Sequence, residues 1–326
     1  MVALFGSLSD SSKVVHAQKL LEVLELKDAR VGIEKTFYET LTQTYGIRMS
    51  SSVGLLEDDF HAHLAISMGG DGTFLTAAKR VGASGTPILG INMGRLGFLT
   101  DFSSEDIEMA LEMALRGELH AEPRTVLSVE FSSGEPFDHP FALNEVAVLK
   151  RDVSSMISIK VEIDGEYLTT YQADGLIINT PTGSTGYALS VGGPVMTPQS
   201  NILGIVPVAP HSLSARPLTL SGDASVTLSV ESRNHNFLVA IDGRSQACAE
   251  DVRLRIRKAD YQIQVLKRPG GSFFRTLRQK LMWGSDYPRT ITAITYKMSY
   301  DFIIKSKELS EKDKALFLGL NAAQFY

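Results

Sequence analysis

The first 122 residues alternate short apolar runs with stretches in which apolar residues recur at helical spacing. The runs at 2–5, 31–37, 64–67 and 87–92 predict buried strands. Helical spacing predicts helices over 14–24, from about Thr73 onward and over 107–115, and a weaker helix over 39–45. Ser11 or Ser12 is expected to cap the first of these helices. Strands that alternate with helices predict a parallel sheet covered on both faces, an α/β fold.

The pattern changes from residue 123 to short segments rich in β-branched residues, several of them separated by Asp-Gly turns. These segments predict an all-β, sandwich-like domain with strands over 125–131, 141–149, 158–163, 175–179, 224–230, 237–241, 252–256 and 262–266. We therefore expect an α/β domain over 1–122, a β-rich domain with a returning C-terminal segment over 123–289, and an unassigned tail over 290–326.

One strand-to-helix turn carries three glycines around a carboxylate, Gly69-Gly70-Asp71-Gly72-Thr73. Glycines there can supply positive φ and leave the backbone open, so that the amides of the turn and the following helix attract phosphate. A carboxylate would repel phosphate unless it holds a metal ion or takes a proton from an attacking hydroxyl. A simple Asp-Gly turn without chemistry is the alternative.

Two further segments could bind a polar ligand. Asn144 and Glu145 interrupt an otherwise apolar strand, which suggests contacts to ribose hydroxyls or a base, although a strand end or edge would give the same pattern. The hydroxyl-rich loop over 180–187 could surround a polar ligand or be an ordinary Ser/Thr loop. Asp174-Gly175 and Asp242-Gly243 are turns by default.

Composition and charge narrow the class of protein. The 326 residues are 44% hydrophobic with a net charge of −5, which argues against a protein-wide surface for nucleic acid or anionic membrane. The single cysteine, Cys248, excludes an internal disulfide and fits a reducing compartment. The chain start does not resemble a signal peptide, and no apolar run approaches the roughly 20 residues of a membrane span. We expect a cytoplasmic enzyme or binding protein.

Several common phosphate-binding and catalytic motifs are missing from the sequence. It has no P-loop, and the glycine turn lacks the third glycine of a dinucleotide fingerprint. Protein-kinase motifs and a Gly-x-Ser-x-Gly nucleophile elbow are also absent. His61 and His63 lie two apart but are better explained as structural residues than as a metal pair.

Six segments in this order together resemble the NAD kinase family, a branch of the superfamily that includes diacylglycerol kinases and 6-phosphofructokinases. They are residues 69–73, 90–99, 144–145, 174–175, 180–194 and 210–217. Gly186 stands where the family more often has alanine, a departure expected to loosen the pocket wall.

The resemblance implies transfer of the γ-phosphoryl group of ATP, or of polyphosphate, to the adenosine 2′-hydroxyl of NAD, with Mg²⁺ on the donor phosphates. It implies that Asp71 is the catalytic base or orienter, with Gly70, Gly72 and Thr73 near the phosphates. It also implies that Asn144 and Glu145 contact the nucleosides, that the dinucleotide pocket is built by Asp174, Thr185, Gly186, Tyr187 and Ser190, and that Asp242 and Gly243 lie at its edge. A homodimer or homotetramer is expected, since family sites often use a neighbouring subunit.

Two rival functions remain open. A lipid kinase of the superfamily would share the glycine turn but should lack the segments over 180–194 and 210–217. A module that only senses NAD would keep the pocket but could dispense with Asp71.

Overall fold

The computed structural model describes residues 1–280, apart from 9, 95–96, 135–136 and 153–154, and residues 304–315, apart from 308. The chain divides into two compact units, Met1–Pro269 and Gly270–Tyr326. The predicted functional residues all lie in the first unit.

The N-terminal part of the first unit is a parallel sheet with helices. Its strands are β1 (Val2–Gly6), β2 (Val31–Ile33), β3 (Val53–Leu55), β4 (Leu64–Gly69), β5 (Ile88–Asn92) and β6 (Phe102–Ser103). Its helices are α1 (Val14–Leu26), α2 (Lys35–Glu39), α3 (Asp71–Val81) and α4 (Ile107–Leu115). The order β5-β4-β1-β2-β3 is parallel throughout, and α1 and α4 bury apolar faces in a cluster that includes β1, β4 and β5 side chains.

Two details of the N-terminal prediction are wrong. The predicted strand over 31–37 ends at Ile33, because Glu34 caps α2 by accepting a hydrogen bond from the Phe37 amide at 2.9 Å. Phe37 then packs where a side chain on Gly6 would otherwise lie. Asp10, rather than Ser11 or Ser12, caps the turn before α1 by accepting the Ser12 amide at 3.0 Å.

Twelve strands lie among the described residues of the β-rich part that follows. They are β7 (His120–Phe131), β8 (Phe141–Ala142), β9 (Glu145–Leu149), β10 (Ile157–Ile163), β11 (Glu166–Ala173), β12 (Gly175–Asn179), β13 (Ile202–Val208), β14 (Leu218–Ser221), β15 (Val226–Glu231), β16 (Asn236–Ile241), β17 (Arg244–Ala249) and β18 (Leu254–Lys267). A short helix, α5 (Tyr187–Ser190), follows the 3₁₀ turn Thr182–Thr185.

These strands form the predicted sandwich. One antiparallel sheet has the order β14-β13-β12-β9-β16-β17, and the other combines β11-β10-β15-β18 with β7. A shared core lies between the two sheets, with Val146 and Ile178 on one side and Ile159 and Leu228 on the other. The predicted fold class, a parallel α/β domain followed by a β-rich domain, is confirmed.

β18 joins the two parts of the first unit. It pairs with β7 along most of its length, and its last residues, Val265 and Leu266, pair in parallel with β5 of the N-terminal sheet. The two strands predicted over 252–256 and 262–266 are therefore a single strand with an irregularity between Lys258 and Gln262. The predicted domain boundary at 122 falls inside β7 and, like that at 289, remains a prediction.

The second unit contains two described helices, α6 (Phe273–Lys280) and α7 (Glu311–Ala315), within which Arg278 and Asp313 form an ion pair of 4.0 Å. Over the described residues of both units, every helix is too short or too polar to cross a membrane.

Candidate active site

Asp71 occupies the start of α3, directly after β4 has brought the chain to the edge of the parallel sheet. Its carboxylate accepts hydrogen bonds from the backbone amides of Phe98, at 3.1 Å, and Leu99, at 3.3 Å. A Cβ on Gly97 would lie 2.0 Å from its Oδ1 atom, so any side chain there would displace the Asp71 carboxylate. Asp71 therefore does more than form a turn, because it ties α3 to the segment after β5.

The glycines of this turn leave the backbone open to a ligand rather than adopt unusual backbone angles. Gly70 has a φ of −92°, and none of the turn's glycines has positive φ, contrary to the expectation from the sequence. A Cβ on Gly70 or Gly72 would meet nothing within 4 Å, whereas one on Gly69 would collide with the Thr73 side chain. The open backbone at the N-terminus of α3 is suited to an anionic group.

The two glycine-containing segments lie side by side. β4 and β5 are parallel neighbours in which Gly69 pairs with Asn92, so their carboxyl ends reach the same edge. Asn92 shapes the loop that follows by accepting the Gly94 amide through its side-chain oxygen at 2.8 Å. Arg95 and Leu96 lie outside the described residues.

A sharp corner replaces the middle of the strand predicted over 141–149. The Asp242 carboxylate accepts three successive backbone amides, from Leu143 at 2.7 Å, Asn144 at 2.9 Å and Glu145 at 3.1 Å. Asp242 can do so because the two-residue turn between β16 and β17 holds it at a φ of 46°, followed by Gly243 at 79°. The polar pair Asn144 and Glu145 thus marks a break between β8 and β9, fixed by a residue about one hundred positions away.

The loop over 180–187 packs directly onto this corner. A Cβ on Gly183 would lie 2.0 Å from the Asn144 carbonyl oxygen, and Thr180 donates its hydroxyl to the Leu143 carbonyl at 2.6 Å. Ser184 is fully buried and donates to the Pro181 carbonyl at 2.7 Å. Thr180 and Ser184 therefore hold the loop rather than face a ligand.

Three buried oxygens at this corner have no hydrogen-bond partner among the described residues. They are Asn144 Oδ1, Glu145 Oε2 and Thr182 Oγ1. A buried polar atom without a partner costs about 1–3 kcal/mol, so unpaired atoms of this kind normally have a ligand or water. A Cβ on Gly186 would lie 3.0 Å from Glu145 Oε2 and 3.5 Å from Asn144 Nδ2, so an alanine there would crowd both groups.

The surroundings of the Glu145 carboxyl disfavour its charged form. Burial, and then the neighbouring Asp242 carboxylate, raise the pKa of Glu145 from 4.5 to about 7, although the Tyr187 backbone amide donates to it and acts in the opposite direction. Burial also raises the pKa of Asp242, against the three amides that favour its charged form. Two carboxyls so close together disfavour each other's ionisation, a pattern typical of functional sites.

Shared packing links the corner to the Asp71 turn. Leu143 belongs to the same hydrophobic cluster as Phe74, Ala77 and Ala78 of α3. The helix that begins at Asp71 and the segment that carries Asn144 and Glu145 therefore contribute side chains to the same packed cluster.

The remaining predicted residues are spread around the β9–β12 pair. Asp174 forms an ion pair of 2.7 Å with Lys150 at the opposite end of β12 from the corner, about 17 Å from Asn179 over five residue steps. Thr185 is partly buried and donates to the Thr182 carbonyl at 3.2 Å, while Tyr187 and Ser190 are exposed on α5. An extended ligand would be needed to reach from Asp174 to Asn144.

Two structural roles at this site could not be predicted from the sequence. Asp242 resembled an ordinary Asp-Gly turn, and its three amide contacts depend on a pairing between β9 and β16 that the sequence does not specify. Gly97 lies within one of the segments that resemble the family, but only the structure shows that a Cβ at this position would displace the Asp71 carboxylate.

Family models match both parts of the first unit. The model of the ATP-NAD kinase N-terminal domain matches residues 3–119, and that of the ATP-NAD kinase C-terminal domain matches residues 143–268. An NAD kinase of Bacteroides fragilis is 51% identical over 284 residues, which cover 87% of this chain and 98% of that protein.

The chain belongs to the NAD kinase family.

Further relatives agree with this assignment, which confirms the predicted family and the prediction of an NAD kinase enzyme. An NAD kinase of Flavobacterium psychrophilum is 42% identical, covering 87% of this chain and 98% of its own. An NAD kinase from Archaeoglobus fulgidus, solved in complex with ATP, has a TM-score of 0.66 at 28% identity over 85% of this chain and 97% of its own. Yeast NADH kinase, solved with NADH, shares the fold with a TM-score of 0.75 at 20% identity, covering 90% and 88%.

The end of the chain matches a different family. The model of an amidohydrolase matches residues 272–326, a range that includes the tail for which the sequence suggested no family. The NAD kinase C-terminal model ends at residue 268, next to the boundary between the two compact units at Pro269.

Proposed function

We propose that this chain transfers the γ-phosphoryl group of ATP to the adenosine 2′-hydroxyl of NAD, giving NADP and ADP. Membership of the NAD kinase family supports the overall reaction. The observation that carries the residue assignments is the set of three unpartnered, buried oxygens on Asn144, Glu145 and Thr182. These buried oxygens would gain partners if a ligand with several hydroxyl or amide groups bound at the corner.

The acceptor dinucleotide would bind at this corner. The Asn144 side chain can both donate and accept hydrogen bonds, and Glu145 can accept a ribose hydroxyl when ionised or donate when protonated. The exposed Tyr187 and Ser190, together with Thr185 and Gly186, would form the wall, and Asp174 would contact a more distant part of the ligand. Asp242 and Gly243 would line the edge while Asp242 holds the corner in shape.

The donor would lie at the open N-terminus of α3. Backbone amides near Gly70, Gly72 and Thr73 would approach the phosphates. Asp71 would accept or orient the proton of the 2′-hydroxyl, with its two amide contacts to Phe98 and Leu99 fixing the carboxylate. Positioning of this kind supplies most of the catalysis in phosphoryl transfer.

The residues present fit a magnesium ion that arrives with ATP. Over the part of the chain that the structure describes, no group of three or more His, Cys, Asp or Glu side chains could hold a metal by itself. Mg²⁺ is commonly held by one or two carboxylates together with substrate phosphates, and Asp71 offers one carboxylate beside the open glycines. Bound there, the ion would neutralise charge on the donor phosphates.

The decisive assay incubates the purified chain with Mg²⁺, ATP and NAD and detects NADP with an NADP-specific dehydrogenase. Parallel reactions replace ATP with polyphosphate and NAD with NADH, and a diacylglycerol reaction tests the lipid-kinase alternative. NADP formation that depends on ATP and Mg²⁺ would support the proposal. Binding of NAD without any NADP would favour a sensing module instead.

Asp71→Asn tests the catalytic assignment within that assay. The variant keeps the size of the side chain, so it should bind NAD but turn over about 10²–10⁴-fold more slowly at any Mg²⁺ concentration. Asp58→Asn, at a fully exposed carboxylate that pairs with Arg80 at 3.5 Å, is the matched control. Recovery of Asp71→Asn at high Mg²⁺ would indicate a metal ligand, and near-parental turnover would return Asp71 to a structural role.

We also propose that the chain works in the cytoplasm as a homodimer or homotetramer. The segment over 210–217, one of those that resemble the family, carries Leu213 with 93% of its surface exposed, a suitable contact for a second copy. Light scattering on the purified chain would test the assembly, and a monomer with full activity would contradict it.

A further inference from the structure

A lysine lies on the far side of the backbone segment that holds Asp71. The Lys267 ammonium donates to the carbonyl oxygens of Leu99, at 3.3 Å, and Phe98, at 3.5 Å. Neither the sequence patterns nor the family resemblance singled out this residue.

One peptide group connects the lysine to the carboxylate. The carbonyl of Phe98 and the amide of Leu99 belong to the same peptide, whose oxygen accepts from Lys267 and whose N–H donates to Asp71 at 3.3 Å. A cation at the carbonyl end polarises the peptide and makes its N–H a stronger donor. The contact also restrains residues 97–100, which belong to neither a helix nor a strand.

Lys267 is itself firmly held. Its ammonium forms an ion pair of 2.8 Å with Asp101, and the side chain is only 11% exposed. Asp101 in turn accepts the Arg268 backbone amide at 3.4 Å. The residue ends β18, whose neighbouring residues pair with β5 and β7, so the ammonium projects from a strand fixed on both sides.

Resting on the proposed function of Asp71, we propose that Lys267 is a positioning residue that holds the Asp71 carboxylate in its reactive orientation through the Phe98–Leu99 peptide. Loss of the ammonium frees the two amides to move, and the carboxylate loses its fixed direction. The effect falls on turnover rather than on NAD binding, because the Asn144–Glu145 corner makes none of these contacts.

The test is a mutant cycle in the full chain, with kcat and KM for NAD measured by the NADP assay. Lys267→Met should lower kcat about ten- to a hundredfold, since small misplacements of a catalytic group have effects of this size. KM should stay within about twofold, and Lys267→Arg should restore much of kcat because it keeps the charge and donors. Lys258→Met on the same strand, which removes contacts to Asn201 and Asp223, is the control and should match the parent.

The double variant Asp71→Asn/Lys267→Met distinguishes positioning from a general structural effect. If Lys267 acts through Asp71, the double variant should be no slower than Asp71→Asn alone. Additive losses, or parental kcat in Lys267→Met beside an impaired Asp71→Asn, would overturn the proposal while leaving the role of Asp71 intact. Parental turnover in Asp71→Asn would overturn both, and this pattern is distinct from the other two.

Lys267→Met leaves the Asp101 carboxylate without its ion-pair partner and could therefore impair folding. Lys267→Met/Asp101→Asn replaces the pair with neutral groups of similar size and serves as the second variant. Thermal unfolding is recorded for each protein. A folded neutral pair with low kcat and unchanged KM supports the proposal, and a folded neutral pair with parental kcat overturns it.

Discussion

Replacing Glu145 with glutamine should make the protein more stable while it weakens the site. The carboxyl is buried beside Asp242, and its pKa of about 7 lies well above the ordinary 4.5. A carboxyl whose pKa is higher in the folded state binds more protons when folded than when unfolded. The contribution of Glu145 to stability is therefore greatest below pH 4.5 and falls as the pH rises towards 7, where the folded protein must accept a buried negative charge.

The size of the effect follows from the separation of the two pKa values. Each pH unit is worth about 1.4 kcal/mol, so ionisation of Glu145 costs the folded state about 3 kcal/mol at pH 8. Glutamine carries no charge, can still accept the Tyr187 amide through its oxygen, and has nearly the same volume. It also removes the repulsion that the Asp242 carboxylate experiences. The free energy of unfolding at pH 8 should rise by up to about 3 kcal/mol.

Urea unfolding of the parent and Glu145→Gln at pH 5, 6, 7 and 8 measures this directly. The difference between the two proteins should be small at pH 5 and grow to its full value by pH 8, whereas NAD affinity should fall. Glu166→Gln, at an exposed position at the start of β11, is the control and should show no such divergence. If the free energies of unfolding of the parent and Glu145→Gln differed by the same amount at all four pH values, the inferred cost of ionising Glu145 would be refuted.

Three further predictions concern the neighbouring residues and the tail. Asn144→Ala keeps the backbone amide that Asp242 accepts but loses the side chain, so NAD affinity should fall about ten- to a hundredfold in calorimetric titrations, and superimposable titrations would remove Asn144 from the site. Gly97→Ala places a Cβ 2.0 Å from the Asp71 carboxylate, so kcat should fall about ten- to a hundredfold with the fold retained; parental kcat would mean that the carboxylate can shift without loss. Removal of residues 290–326, which lie beyond both NAD kinase models, should leave an active enzyme, and aggregation or loss of activity would show that the tail belongs to the kinase fold.

The sequence predicted the architecture well where periodicity is strong. The strand before Asp71 and the helix after it, strands β9, β12 and β16, and the change from α/β to β-rich structure all follow from local patterns of apolar residues. Strands with polar alternation, such as β11 and β17, gave no comparable signal. The helical stretch at Phe37 was also missed, because α2 begins directly after β2, at the Glu34 cap, within the segment predicted as one strand.

Both the sequence and the tertiary structure were needed to describe the candidate site. Residue type and order identified the glycine turn and the Asn144–Glu145 pair, and the family resemblance gave them a function. The sequence could not show which side chains from distant parts of the chain form hydrogen bonds with the backbone of these segments. Asp242 holds the corner from the β16–β17 turn, and Lys267 reaches the peptide beside Asp71 from the end of β18. Such contacts depend on strand pairing between distant segments, and a local pattern of hydrophobic and polar residues does not specify which other strand it pairs with.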